Sequence, residues 1–366
     1  MKLLMMSNLD VTNKNSLGVL NKIFGQVDAF SNYGIDIDLI YNKLHFIMVK
    51  KICSNKEIKF RPSSTRDYYN KILNLININK YDVIYVRYPL SNYYFLNFLK
   101  SIKDSNSKVK IILDFPTYPY EEELNNERIL QIDKFFRRYI NKFVDFGVCY
   151  NNLNSIFSIP VLKLGNGINL KKIPLKNQIE QDRKELNLIA VANISKWHGY
   201  DRLILGLSEY YKEKPEIKVY FNIIGNGNEL ENLKNLVYKL ELGKYVVFHG
   251  IKDGNQLSEM FDKSHLAIGS LGMYRIGLKD GATLKVREYC ARGIPFVLGY
   301  DDLDFSLDFK YAFKATNDNT PINIHNLIEF CNKIHENGDV AKEMRNYAEK
   351  NLSWEFKLKA VIEKII

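Results

Sequence analysis

The stretch GLKDGATLKVREYCARGIPFV, Gly277 to Val297, carries the densest set of residues able to do chemistry in this chain. Its spacing predicts a helix that begins near Thr283 or Leu284, is stopped by Gly293 and leads through Pro295 into a strand. Asp280 then sits in a glycine-flanked loop, Lys285 in the first helical turn and Glu288 one turn further in. Lys285 and Glu288 are three apart and share a helix face. That face offers a cation to a diphosphate and a carboxylate to paired hydroxyls such as those of a ribose. An ammonium beside a helix N-terminus concentrates positive potential where a departing phosphate gathers charge, with the backbone of Gly281, Ala282, Thr283 and Leu284 around it. The plainer alternative has Asp280 capping the helix and Lys285 in solvent.

A second candidate is IIGNGNEL, Ile223 to Leu230, where a strand, a glycine turn and a helix start follow one another. Backbone amides at Gly225, Asn226 and Gly227 are arranged there as in turns that receive an anion. The position where a dinucleotide fingerprint would place its last glycine is Leu230, so a nicotinamide enzyme loses its support. What stays open is a mononucleotide contact or a tight turn without ligand. In the first half, Tyr88 follows a YVR strand end, and Thr117, Tyr118 and Tyr120 lie in a loop fixed by Pro116 and Pro119. Such a loop suits stacking on a sugar ring, and equally suits packing. Lys134 to Lys142, KFFRRYINK, interleaves aromatics with cations: an ordinary helix with a solvated and a buried face, a membrane-docking helix, or a nucleic-acid contact.

The elements that must position these residues alternate between short apolar runs and longer helical patterns, the mark of βαβ units. KLLMMS, IDIDLIY, YDVIYVRYP and KVKIILDFP read as strands, and Leu17 to Tyr33 as a helix ended by Gly34. After VDFGVCY and SIPVLKLGNGI the polar stretch Lys171 to Glu185 reads as a linker. A second series follows: LNLIAVAN, IKVYFNIIG, YVVFHG, HLAIGS and IPFVLGY as strands, with helices at 201–212, 228–240, 257–263 and 284–292. The tail from Ile322 to Ile366 reads as helical. The expectation is an α/β protein of two Rossmann-like domains facing each other across a cleft. Residues 1–170 form the first domain and 171–345 the second, while 346–366 make a helix crossing back to the first.

Of 366 residues, 46% are hydrophobic and 26% charged, enough apolar material for two cores, since single cores stop growing near ~250 to 300 residues. No apolar run approaches the roughly 18 residues of a membrane helix, and the start turns polar too soon for a standard secretory signal. The four cysteines, Cys53, Cys149, Cys290 and Cys331, form no CxxC pair. No disulfide framework or zinc site is expected, no DxD-type metal pair stands at a strand end, and a reduced cytoplasm fits best. The formal charge of +10 is uneven: residues 1–170 hold 23 Lys/Arg against 15 Asp/Glu, and 171–366 hold 29 against 27. A basic first half suits an acidic partner, such as a phosphorylated substrate or an anionic membrane face. No RNP, KH or zinc pattern supports nucleic acid.

Asp280, seven residues, then Glu288 resembles the E-x7-E motif of retaining GT-B glycosyltransferases of family 4, and KVREYxAxGxP resembles their capsular and O-antigen branch. GNGI at Gly165 to Ile168 is similar to the signature opening that family's second domain, SKWHGYDRLI at Ser195 to Ile204 to its phosphate-binding turn, and IIGNGNE and VVFHG to the nucleotide-facing turns that follow. NSLGVLNKI, containing Gly18, resembles its glycine loop near donor and acceptor, and DFPTYPYEEE its acceptor-side loop. The resemblance covers the whole chain. It implies that Asp280 holds donor-sugar hydroxyls and Glu288 the ribose, with aspartate here in place of the usual glutamate. Asn193 and His198 stand where the family's arginine and lysine do, so Lys196, Arg202 and Lys285 are candidate replacement cations, Lys285 foremost. His198 is either a neutral hydrogen-bond donor there or a structural histidine.

The implied reaction moves a sugar from a UDP- or GDP-sugar to a saccharide or lipid-diphosphate-linked acceptor, with configuration retained and no metal or other cofactor. Protein cations and helix amides take the departing charge. Gly18, Tyr88, Thr117 and Tyr118 fall on the acceptor or sugar side. A cytoplasmic protein of surface polysaccharide assembly, with peripheral contact to the inner membrane face, is expected. Rival classes are a sugar-nucleotide epimerase of the same fold, which would need acid/base groups around the sugar, and a noncatalytic binder.

Overall fold

A computed structural model describes residues 1–13, 17–124, 126–177, 184–306, 308–335 and 339–366. They divide into two compact units, Met1–Gly167 with Trp354–Ile366, and Ile168–Ser353. The first unit is built on nine strands: β1 (Lys2–Asp10), β2 (Asp36–Lys43), β3 (Phe46–Lys51), β4 (Lys56–Phe60), β5 (Val83–Arg87), β6 (Lys110–Phe115), β7 (Phe146–Cys149), β8 (Ser155–Ile156) and β9 (Ile159–Lys163). Their order is β4-β3-β2-β1-β5-β6-β7-β9-β8. The central strands run parallel, and β3, β4 and β8 are antiparallel additions at the edges. Runs such as VIYV and IILDF are buried throughout because helices cover both faces of a parallel sheet. Those helices are α1 (Leu17–Asn32), α2 (Thr65–Leu75), α3 (Tyr93–Ser105) and α4 (Glu127–Phe136).

Residues 46–75, which carry no element in the sequence reading, form β3, β4 and α2. The hairpin is hard to see in one dimension because β4 is an exposed edge strand guarded by Lys56 and Lys59. The α2 start is locally encoded: the Ser64 side chain accepts a hydrogen bond from the Asp67 amide.

The second unit has a six-stranded parallel sheet of β10 (Glu185–Asn193), β11 (Lys218–Asn226), β12 (Val246–Phe248), β13 (Leu266–Ile268), β15 (Phe296–Leu298) and β17 (Ala312–Lys314). A two-residue pair, β14 (Asp280–Gly281) with β16 (Asp301–Asp302), stands apart from it. The strand order β12-β11-β10-β13-β15-β17 is doubly wound, with its direction reversing between β10 and β13, where such sheets bind ligands outside the strand carboxyl ends. Around it lie α5 (Tyr200–Lys212), α6 (Leu230–Lys239), α7 (Gly254–Asp262), α8 (Leu284–Arg292), α9 (Ile324–His335) and α10 (Val340–Asn351).

The division between units differs in detail from the sequence reading. Residues 168–177, partly read as linker, pack on the second unit: Arg345 donates to the carbonyls of Leu170 and Ile173, and the Lys176 amide to that of Arg292. Residues 178–183 of that stretch lie outside the described residues. At the other end α10 still belongs to the second unit, and the helix that packs in the first is α11 (Trp354–Ile365). Trp354 locks it there. The indole is buried against Gly25 and Gly167, where a Cβ would stand 2.4 and 2.5 Å from ring atoms. No helix among the described residues is long and apolar enough to cross a membrane.

Candidate functional site

In the second unit the residues of interest gather where β10 and β13 end. The chain leaving β10 turns through a 3-10 segment, Lys196–His198, and enters α5 at Gly199, whose φ is +62°. Only glycine fits: a Cβ would stand 2.7 Å from the Gly272 nitrogen. The loop after β13 is laced to this turn by the amides of Leu271 and Gly272, which donate to the carbonyls of His198 and Trp197 at 2.9 and 3.1 Å. Arg275 adds a two-pronged ion pair with Asp201 at 2.7 and 2.8 Å.

His198 is buried in this clamp and stacked on Tyr200. Its Nδ1 accepts from the Ser195 amide at 2.9 Å, so the neutral ring carries its proton on Nε2. Desolvation, followed by the neighbouring Lys285 charge, holds its pKa well below the ordinary histidine value. The ring is therefore a neutral donor at neutral pH. Lys285, in the first turn of α8, places Nζ 3.3 Å from the Tyr200 hydroxyl. Desolvation lowers its pKa to about 7. Thr283 stands at the N-cap without capping, because its hydroxyl is engaged with that of Tyr300 at 2.7 Å. The first amides of α8 thus lack a side-chain cap beside a lysine, an arrangement suited to an anion. Leu284 opens the helix. Gly281 and Ala282 are buried just before it, and Asp280, on β14, is partly exposed four residues ahead.

Glu288 lies one turn along α8 from Lys285 and accepts from Arg292 Nε at 2.8 Å. Arg292 is itself fixed over the Phe261 ring. Lys196 is exposed at the rim of the turn, its carbonyl held by Arg275 at 3.0 Å.

Other expected contacts are placed differently. Arg202 is wholly buried, its guanidinium spent on the carbonyls of Thr320, Leu271 and Thr316 and the Thr316 hydroxyl. It ties loops together, with four of its five N–H donors engaged and its NH2 nitrogen also 3.5 Å from Asp318. The amides of Gly225 and Gly227 are also taken, by Gly250 O and the Asn226 side chain, both at 2.8 Å. Both glycines are required by close approach: a Cβ would fall 1.8 Å from Ala192 O or 2.1 Å from Ile194 O.

In the first unit, Tyr88 is buried with its hydroxyl on Asp133 at 2.5 Å and Ser91 at 2.7 Å, inside a cluster with Phe95, Phe115, Tyr120 and Phe157. It is a packing residue, not an open stacking platform. Thr117 and Tyr118 remain partly open, and Tyr118 rests its edge on Tyr120 and Phe157. Gly18 is exposed in the first turn of α1, while residues 14–16 of the expected glycine loop lie outside the described residues. Sequence reasoning missed a cavity of about 420 Å³ at the carboxyl ends of β1 and β5, lined among others by Asn8, Ser63, Ser64, Thr65, Tyr68 and Asn92. Its hydroxyls and amides come from the overlooked α2 start as well as from β1 and α3. Tyr200, the partner of Lys285, was missed as well, since only the tertiary fold brings it near.

The fold is that of the GT-B glycosyltransferases. The chain is similar to sucrose-phosphate synthase of Thermosynechococcus elongatus, with a TM-score of 0.67 and 12% identity over 100% of this chain and 98% of that one. It is also similar to HepE of Anabaena in complex with UDP and glucose, with a TM-score of 0.64 and 13% identity over 100% and 99%. Residues 172–351, nearly the whole second unit, match the family of glycosyl transferases group 1. An uncharacterized 41.2 kDa protein in the cps region of Klebsiella pneumoniae is 26% identical over 245 residues, 64% of this chain. The chain spans 60% of that relative's length.

Proposed function

We propose that the protein is a glycosyltransferase that moves a sugar, with retention and without a metal, from a UDP- or GDP-sugar to a saccharide acceptor on a lipid diphosphate, in the assembly of a surface polysaccharide. The observation that carries this reading is Lys285 at the open N-terminus of α8, set against neutral His198 and Tyr200 at the switch point of a doubly wound sheet. HepE, with UDP and glucose, and the Klebsiella protein of the cps region favour the nucleotide and the pathway.

In this reading the diphosphate lies on the α8 amides, with Lys285 and His198 Nε2 donating to the oxygens that gather charge as the glycosidic bond breaks. Asp280 holds hydroxyls of the sugar. Glu288, held by Arg292 through Oε1, keeps Oε2 for a ribose hydroxyl. The acceptor hydroxyl attacks the anomeric carbon on the face the phosphate leaves and passes its proton to the departing phosphate oxygen. The cavity lined by Asn8 and Ser63–Thr65 takes acceptor hydroxyls.

Calorimetry with UDP, GDP and ADP, followed by a nucleotide-sugar panel with membrane extract, tests the proposal. One nucleotide should bind and its sugar conjugate should release nucleoside diphosphate. Binding of none would overturn it. Glu288→Ala should abolish transfer while the melting temperature holds, and full activity in that variant would refute the ribose role.

A further inference from the structure

α4 is turned inside out. Its buried residue is a carboxylate, Asp133, whereas Ile129, Ile132 and Phe135, with Tyr139 just beyond, stand exposed, Phe135 at 54%. Surface helices ordinarily do the reverse. The cause is visible in the partners of Asp133: the hydroxyls of Tyr88 and Tyr120, the Ser91 amide at 2.6 Å and Arg137 at 3.3 Å. Tyr88 and Ser91 follow β5 and Tyr120 follows β6, so Asp133 pins the helix at the carboxyl ends of those strands and turns its apolar stripe outward. The stripe continues onto the start of α3, where Tyr93, 56% exposed, meets Phe136 edge to face with ring centroids 6.3 Å apart. Tyr94 extends it.

The surroundings select the partner. Arg128, Arg138 and Lys142 are exposed and Lys134 partly so, and among the described residues none of the four is in an ion pair. Of the two acids of α4, Asp133 is buried and Glu127 stands in the first turn, where the helix dipole favours it. Tyrosine and phenylalanine at one level, ringed by unpaired cations, match the headgroup layer of an anionic bilayer: rings enter the interface and cations meet lipid phosphates. Tyr93 and Tyr94 also neighbour Asn92 and Phe95, which line the cavity at the same edge of the sheet.

We infer that the surface formed by Tyr93, Tyr94, Ile132, Phe135 and Tyr139, with Arg128, Lys134, Arg138 and Lys142, docks the first unit on an anionic lipid bilayer. This deepens the proposed function by naming the face that meets the membrane. It rests on that reading only for the lipid-linked acceptor.

The test is flotation of the full chain with vesicles of phosphatidylcholine alone or with 30% phosphatidylglycerol, a composition chosen for a strong negative surface. The wild type should float with the anionic vesicles and be released as salt rises. Phe135→Ser/Tyr139→Ser and Arg138→Glu/Lys142→Glu should each cut the bound fraction at least tenfold, with unchanged melting temperature and nucleotide affinity. Equal flotation of wild type and both double variants would overturn the inference, as would equal binding to neutral vesicles. Sedimentation as a dimer that Phe135→Ser/Tyr139→Ser converts to monomer would make this face an interface between copies and overturn it too. Nucleotide calorimetry separates the two claims, because absent nucleotide binding sinks the transferase reading and leaves flotation to be judged alone.

Discussion

At the scale of single residues, Lys285 decides most. A lysine with a pKa near 7 is half charged in the empty site at neutral pH. A bound diphosphate favours the ammonium and pulls its pKa up. The charged, binding-competent form grows as pH falls below 7 in the free protein and is lost above it, so affinity should fall by up to about tenfold per pH unit above pH 7 until the pKa of the bound form is reached. Calorimetry in two buffers of different ionisation enthalpy at pH 8 should record proton uptake on binding. Lys285→Arg keeps a cation that does not titrate in this range and should flatten that dependence. Lys285→Ala should lower turnover by roughly 100- to 1,000-fold, the usual cost of one donor to a developing anion. A pH profile that Lys285→Arg leaves unmoved would remove Lys285 from the phosphate. Arg202 is the counterexample: in one dimension it is another cation near a phosphate turn, and only its burial among carbonyls tells it from Lys285.

At the scale of elements, what was legible is what is locally encoded. Gly293, in the left-handed region at φ +74°, stops α8 where its type predicts, so the spacing of Lys285 and Glu288 on one helix was readable. Gly225 and Gly227 announced a tight turn, but the backbone that demands them is the end of β10 at Ala192 and Ile194, thirty-three residues earlier in the chain and beyond any local signal. The reversed face of α4 was illegible for the same reason, since the Asp133 donors Tyr88, Ser91 and Tyr120 sit on two other segments. α11 offers the sharpest element-level test. Trp354→Ala should cost about 3 to 5 kcal/mol, as large aromatic deletions do, and Gly25→Ala about 1 to 3 kcal/mol by overpacking. In the double variant the added methyl has no indole to strike, so the two costs should fall short of their sum in urea unfolding. Strict additivity would mean that Gly25 does not seat the indole.

At the scale of the whole molecule, the chain enters the second unit at Ile168 and leaves it at Ser353, returning a single helix to the first. Each unit has its own apolar core, Leu4, Ile84 and Leu113 belonging to one and Leu188, Phe221 and Ile268 to the other. The nucleotide is proposed to touch Lys285, His198 and Glu288, all in the second unit, whereas Trp354 stabilises the first. Ligand and truncation should therefore act on different calorimetric transitions. The nucleotide that binds, at 100 times its Kd, should stabilise the second unit by about 2.7 kcal/mol. A chain ending at Ser353 should keep that ligand-shifted transition and lose stability in the other, because the sites of Gly25 and Gly167 lose the indole that fills them. If the nucleotide instead raised the transition that truncation lowers, the phosphate site would have to be sought in the first unit, and the roles given to Lys285 and Glu288 would fall together.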